Sequence, residues 1–130
     1  MAILILFFLP EAFAQSEFSA FWNKFRSAVI AGDKGSVADM AKFPLSMPYL
    51  VKAVKDKQDF LHRYNEIFKG EANAAQCFAS GKPQKVSKQQ YEIYCPFKET
   101  PKDWENAPIR FIFEQTKSGW KFAGLDNINE

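Results

Sequence analysis

The amino-acid sequence predicts an α+β domain in which helices come first and pack on a mainly antiparallel sheet. Three observations carry this expectation. Apolar residues recur at three- and four-residue spacing in the first part of the chain, and the pattern changes to alternation from Tyr91 onward. The turn Lys117-Ser118-Gly119 then joins two alternating runs closely enough for a hairpin.

The chain starts with an unbroken apolar run, Ala2 to Leu9, broken by Pro10 and Glu11. Ala12-Phe13-Ala14 supplies the small-x-small pattern that precedes signal-peptidase cleavage, here before Gln15. Residues 1–14 therefore read as a secretory signal peptide and residues 15–130 as a single domain. The run is too short for a stable membrane anchor, which needs about 20 apolar residues. No Lys or Arg precedes it, so only the terminal amino group supplies positive charge. The alternative, a buried N-terminal helix, is disfavoured by Pro10 in its interior. Export, periplasmic or secreted, is the expectation.

An amphipathic helix is expected over Ser16 to Ala31, with Phe18, Phe21, Trp22, Phe25 and Val29 on one stripe, Ser16 as N-cap and Gly32 as its stop. Asp33 caps a short second helix carrying Val37, Met40 and Ala41, which ends at Phe43-Pro44-Leu45. Leu45 to Val54 reads as extended or irregular. Asp56 then caps a helix from Lys57 to Phe68 with Phe60, Leu61, Tyr64, Ile67 and Phe68 as its buried stripe, and Gly70 interrupts it. Glu71 to Phe78 forms one more short helix ending near Ser80-Gly81.

Three strands follow. In the first, Tyr91, Ile93, Cys95 and Phe97 alternate with Glu92, Tyr94 and Pro96. In the second, Ile109, Phe111 and Phe113 alternate with Arg110, Ile112 and Glu114. In the third, Trp120, Phe122 and Gly124 alternate with Lys121 and Ala123. Lys98 to Pro108 is a long connecting loop.

Net charge is +2, becoming +3 if Glu11 leaves with the leader, and no dense basic cluster is present, which argues against nucleic acid as a partner. Lys82, Lys85 and Lys88 read as a solvated loop. One histidine cannot support the common zinc sites, and AGDKGS lacks phosphate-loop spacing, so neither metal nor cofactor is expected. Cys77 and Cys95 are an even pair, which in an oxidising compartment suggests one disulfide, the alternatives being buried or reactive thiols. His62 falls opposite the apolar stripe of its helix, and Asp59 with Arg63 has ion-pair spacing; both read as surface features.

The segments FWNKFRSAVIAGDKGSVADMAKFPL, QDFLHRYNEIF and GWKFAGLDNINE resemble secreted bacterial domains of the nuclear transport factor 2-like superfamily, with its cystatin-like fold. The resemblance implies a curved sheet wrapped around the first helix and a cone-shaped cavity between sheet and helices. Its members include isomerases, dehydratases, epoxide hydrolases, transport adaptors and non-catalytic domains, so it does not choose an activity. The chain has fourteen phenylalanines, eleven after the leader, and these rings could fill such a cone or line it. Tyr64, Trp22, Phe111, Phe113 and Arg110 are the candidates for a ligand pocket, and Trp104 in the long loop is the candidate protein-binding anchor. No catalytic set is assigned. A non-catalytic exported domain binding a small apolar ligand or an envelope protein is the leading expectation. The alternatives are a small lyase, isomerase or hydrolase using the cone, and a secreted inhibitor or immunity-type protein.

Overall fold

Helices and strands segregate along the chain, and the junctions between them follow from capping chemistry. A computed structural model of the protein describes residues 9–48 and 53–129, with side chains from residue 17. Most of the expected leader, residues 1–8, lies outside the described residues.

Helix α1 (Leu9–Ala31) runs through the expected cleavage point, so Ser16 lies inside it rather than capping it. Pro10 falls in its first turn, where a missing N–H removes no helical bond. The helix stops as its sequence requires. Gly32 has φ +70°, and the Gly32 and Asp33 amides donate to the Val29 and Ala28 carbonyls, a Schellman closure that favours glycine.

Asp33 accepts from the Ser36 amide and caps α2 (Lys34–Asp39). The expected continuation of this helix through Ala41 is corrected here. Met40 ends it, and β1 (Ala41–Ser46) lies parallel to the final strand, tied by the Phe122 amide donating to the Met40 carbonyl at 2.8 Å. Leu45 and Val54 exchange backbone hydrogen bonds.

The expected helix over residues 57–68 is divided at Arg63 into α3 (Lys57–His62) and α4 (Tyr64–Lys69). The Arg63 amide still donates to Asp59 and its carbonyl still accepts from Ile67, so Phe60, Tyr64, Ile67 and Phe68 keep one buried line. α5 (Ala74–Ser80) starts three residues later than the expected Glu71, because Asn73 caps it by accepting from the Gln76 amide.

The sheet contains β2 (Gln84–Ser87), β3 (Gln90–Cys95), β4 (Ile109–Thr116) and β5 (Gly119–Asn127), in the order β1-β5-β4-β3-β2. All pairings are antiparallel except that of β1 with β5. Of the lysines expected in a solvated loop, Lys85 lies in the edge strand β2, while Lys82 precedes it and Lys88 lies in the turn after it. Phe113 pairs with Phe122 and Ile112 with Gly124, which leaves Ala123 as a bulge. Gly124 therefore leaves the face of Trp120 and Phe122, and Leu125 takes the inward place opposite Phe111.

One face of the sheet carries the helices, and between them Phe25, Phe60, Phe68, Phe78, Phe111, Phe113 and Phe122 are fully buried in a single cluster. The disulfide Cys77–Cys95 joins α5 to β3 across a Cα separation of 5.7 Å. Arg26 binds α1 to the end of α5, donating to the carbonyls of Phe78 and Ala79.

Candidate functional site

The structure separates the sequence-predicted pocket residues into two groups on opposite faces of the sheet. Trp22 on α1, Tyr64 on α4, and Phe111 and Phe113 on β4 lie on the helix side of the sheet. Trp22 packs edge-on against Phe78 and Phe113 at centroid distances of 5.1 and 5.6 Å, and Phe111 meets Phe78 at 5.1 Å. These rings occupy the interior that the resemblance makes a cone. Tyr64 is 2% exposed beside Phe68, and its hydroxyl has no hydrogen-bond partner among the described residues. Lys34 lies 5.4 Å from its ring centroid. Burial first, and then the Asp33 carboxylate, push the Tyr64 hydroxyl above the ordinary tyrosine pKa.

Arg110 lies on the other face. Strand alternation sends it away from Phe111, and the β3–β4–β5 register sets it between Tyr94 and Asp126. It forms a two-pronged ion pair with Asp126, at 2.9 and 2.6 Å, and reaches Glu92 at 3.4 Å. Glu92 is only 6% exposed although charged, and it also accepts from the Tyr94 hydroxyl at 2.7 Å and from Gln90 at 3.2 Å. Each buried carboxylate oxygen thus has a donor, which burial of a charge demands. The hydrogen bond to Glu92, burial and the carboxylate's charge raise the Tyr94 pKa, holding its hydroxyl protonated as a donor. Pairing with Asp126 raises that of Arg110. The network fixes the Tyr94 ring on the outer face.

Beside it lies Trp104. The indole is 44% exposed and rests over Gly81, where an added Cβ would come within 3.3 Å of Cη2. Ser80, Gly81, Lys82 and Gln84 form one wall of a groove of about 300 Å³, and Tyr94 and Trp104 complete it. Tyr94 lines the groove with Trp104 and stands opposite Arg110 in the sheet, while Arg110 itself is outside the groove lining and is held by Asp126 and Glu92. Glu92, Tyr94 and Gln84 are absent from the sequence-derived candidates. Their signal is their place on the outward face of alternating strands, legible only once β2, β3 and β4 are in register. A second, shallower groove of about 600 Å³ lies between α1 and α2, with Asn23, Lys24, Ser27 and Asp33 on its wall and no aromatic residue in its lining.

No family model and no curated protein matches the chain. Solved structures do. A hexachlorocyclohexane dehydrochlorinase (LinA) of type 2 is 11% identical with a TM-score of 0.51, over 88% of this chain and 86% of that one. A ketosteroid isomerase-like protein from Erwinia carotovora atroseptica is 15% identical with a TM-score of 0.46, over 83% of this chain and 89% of that one. An NTF2-like protein with a cystatin-like fold from Novosphingobium aromaticivorans is 12% identical with a TM-score of 0.47, over 97% and 86%. The fold is nuclear transport factor 2-like.

The other candidate groups lie on α3 and at its end. His62 is exposed at the end of α3, and Arg63 pairs with Asp59 and Glu66. Among the described residues no group of three or more His, Cys, Asp or Glu is placed to hold a metal ion. Among them, too, no helix is long and apolar enough to cross a membrane.

Proposed function

We propose that this chain is an exported, non-catalytic domain that docks an envelope protein through the groove between Trp104 and Tyr94. The observation that carries this reading is Trp104: a large indole left half-exposed on a polar loop, beside a tyrosine whose hydroxyl is tied to Glu92. Rigid aromatic rings contribute much contact area at low entropic cost, and tryptophan is enriched where binding energy concentrates.

The packed interior supports the same reading. Rings already occupy the space that an apolar ligand would take, so binding moves to the outer face. Some structural neighbours are named as a dehydrochlorinase and an isomerase-like protein, yet chemistry at Tyr64 needs an acid–base partner, and the described residues place none in hydrogen-bonding contact with it. The disulfide supports export, because such bonds persist in oxidising compartments.

A photo-crosslinking residue at position 104, introduced in the native host, tests the docking reading. A discrete crosslinked protein is expected from position 104 and not from Lys117, at the other end of β4. No crosslink from 104, or the same species from both positions, refutes it. Trp104→Ala removes a partly buried indole and should cost about 1–2 kcal/mol, leaving the chain folded.

A further inference from the structure

The sheet face opposite the helices carries its charges in an ordered array. Across β4 and β5, Arg110 stands opposite Asp126 at one end and Glu114 opposite Lys121 at the other, with Ile112 and Gly124 between them. Along β4 the signs run positive then negative, and along β5 negative then positive. Two further charges flank the array: Glu92 on β3 meets Arg110 at 3.4 Å, and Lys42 on β1 meets Glu114 at 3.0 Å. We propose that this face binds a second copy of the chain, as a two-fold dimer whose axis runs parallel to the strands between β4 and β5.

That axis lays β4 of each copy over β5 of the other. Arg110 then stands over Asp126 of the other copy and Glu114 over its Lys121, so each corner of the array meets the opposite sign. Ile112, half-buried in the single chain, enters the place that Gly124 leaves without a side chain. Glycine is required there, since a Cβ would lie 2.9 Å from the Ser46 carbonyl oxygen. A two-fold running across the strands matches the corners equally well, but it sets Glu92 over Glu92. With the axis along the strands, β3 lies over β1, and Glu92 faces Ser46, which shares the row of Gly124 and Ile112. Packed sheets align to within about 30°, a rotation that moves residues near the axis little. An apolar centre inside a polar rim is the anatomy of a protein interface. Each charge already has a partner within its own chain, so association gains little per pair and the dissociation constant is on the order of 10 μM. β2 projects past β1 of the other copy, which leaves the groove beside Trp104 open.

Analytical ultracentrifugation from about 1 to about 100 μM tests this. The parent chain is expected to pass from monomer to dimer over that range. Glu114→Lys and Lys121→Glu, with Tm checked for each, should each weaken self-association on the order of tenfold, because each variant sets like charges over one another. Mixed in equal amounts they should recover the dimer, since the reversed charge at 114 of one variant then faces the reversed charge at 121 of the other. A parent that stays monomeric at about 100 μM, unchanged association of the variants, or no recovery on mixing overturns the proposal. The two-fold across the strands gives no recovery, because it sets position 114 over Arg110. If a charge reversal lowers Tm, Ile112→Ser takes its place, and unchanged association then overturns the proposal. Trp104→Ala should leave association intact; its loss there moves the contact to the groove and equally overturns the dimer. The crosslinking test at position 104 is independent, so its failure refutes the docking reading and leaves the dimer standing.

Discussion

Replacing Phe113 by alanine tests whether the interior is filled by the protein itself. The ring is fully buried, and its centroid lies 5.3 to 5.9 Å from those of Phe18, Phe21, Trp22, Phe25 and Phe122. Truncation removes roughly 150 Å² of buried apolar surface, about 4 kcal/mol at about 25 cal/mol per Å². That falls within the roughly 3–5 kcal/mol typical of buried Phe→Ala changes. Against a typical total of about 5–15 kcal/mol, the variant still folds but with little reserve. Its cavity is walled by rings, stays dry and accepts a small apolar molecule. Urea denaturation with and without benzene is the assay. Benzene at about ten times its dissociation constant should restore about 1.4 kcal/mol to the variant and nothing to the parent chain. A loss below about 1.5 kcal/mol, or equal stabilisation of the parent by benzene, refutes the filled interior and reopens Tyr64, Trp22, Phe111 and Phe113 as a pocket.

Three further outcomes are expected. Replacing Cys77 and Cys95 by alanine opens a loop of sequence separation 18; it should cost about 3 kcal/mol and lower Tm by about 10 °C in calorimetry. Tyr64→Phe removes a buried hydroxyl that has no partner among the described residues, so denaturation should show unchanged or higher stability, by up to about 1–2 kcal/mol. The native Tyr64 pKa lies above the ordinary value of 10.0, so the unfolded chain loses this proton first. The stability it contributes is full below pH 10.0, falls as pH rises through the native value, and this part of the alkaline loss disappears in Tyr64→Phe. Finally, Arg110→Gln leaves Glu92 buried without its cation and should cost about 2 kcal/mol, while adding Glu92→Gln recovers part of it in a double-mutant cycle.

What was legible in the sequence is what short-range physics decides. Gly32 after an apolar stripe, Asp33 and Asp56 ahead of helices, and paired cysteines each act within a few residues or through one bond. The missed elements depend on distant partners. Ala41 continues a helical apolar pattern and becomes strand only because β5, some 80 residues away, offers it backbone groups to pair with. β2 has no buried residue to give it a period, and is recognisable only through its ladder with β3. Gly124 changes face because the Ala123 bulge adds one residue to a period of two.

The candidate site divides in the same way. By itself the sequence determined the fold class, the wealth of phenylalanine and the one possible cysteine pairing; it set Trp104 apart on its loop but grouped Arg110 with the interior pocket residues. Only the tertiary structure decided that Arg110 leaves the ring face and that Tyr94 stands beside Trp104, because the register of β3 against β4 sets Tyr94 opposite Arg110 and the loop folds Trp104 back over Gly81. It also decided that the interior rings meet one another. Alternation tells which side of a strand a residue takes. What stands across from it depends on strand pairing and packing between segments far apart in the chain, which no local pattern encodes.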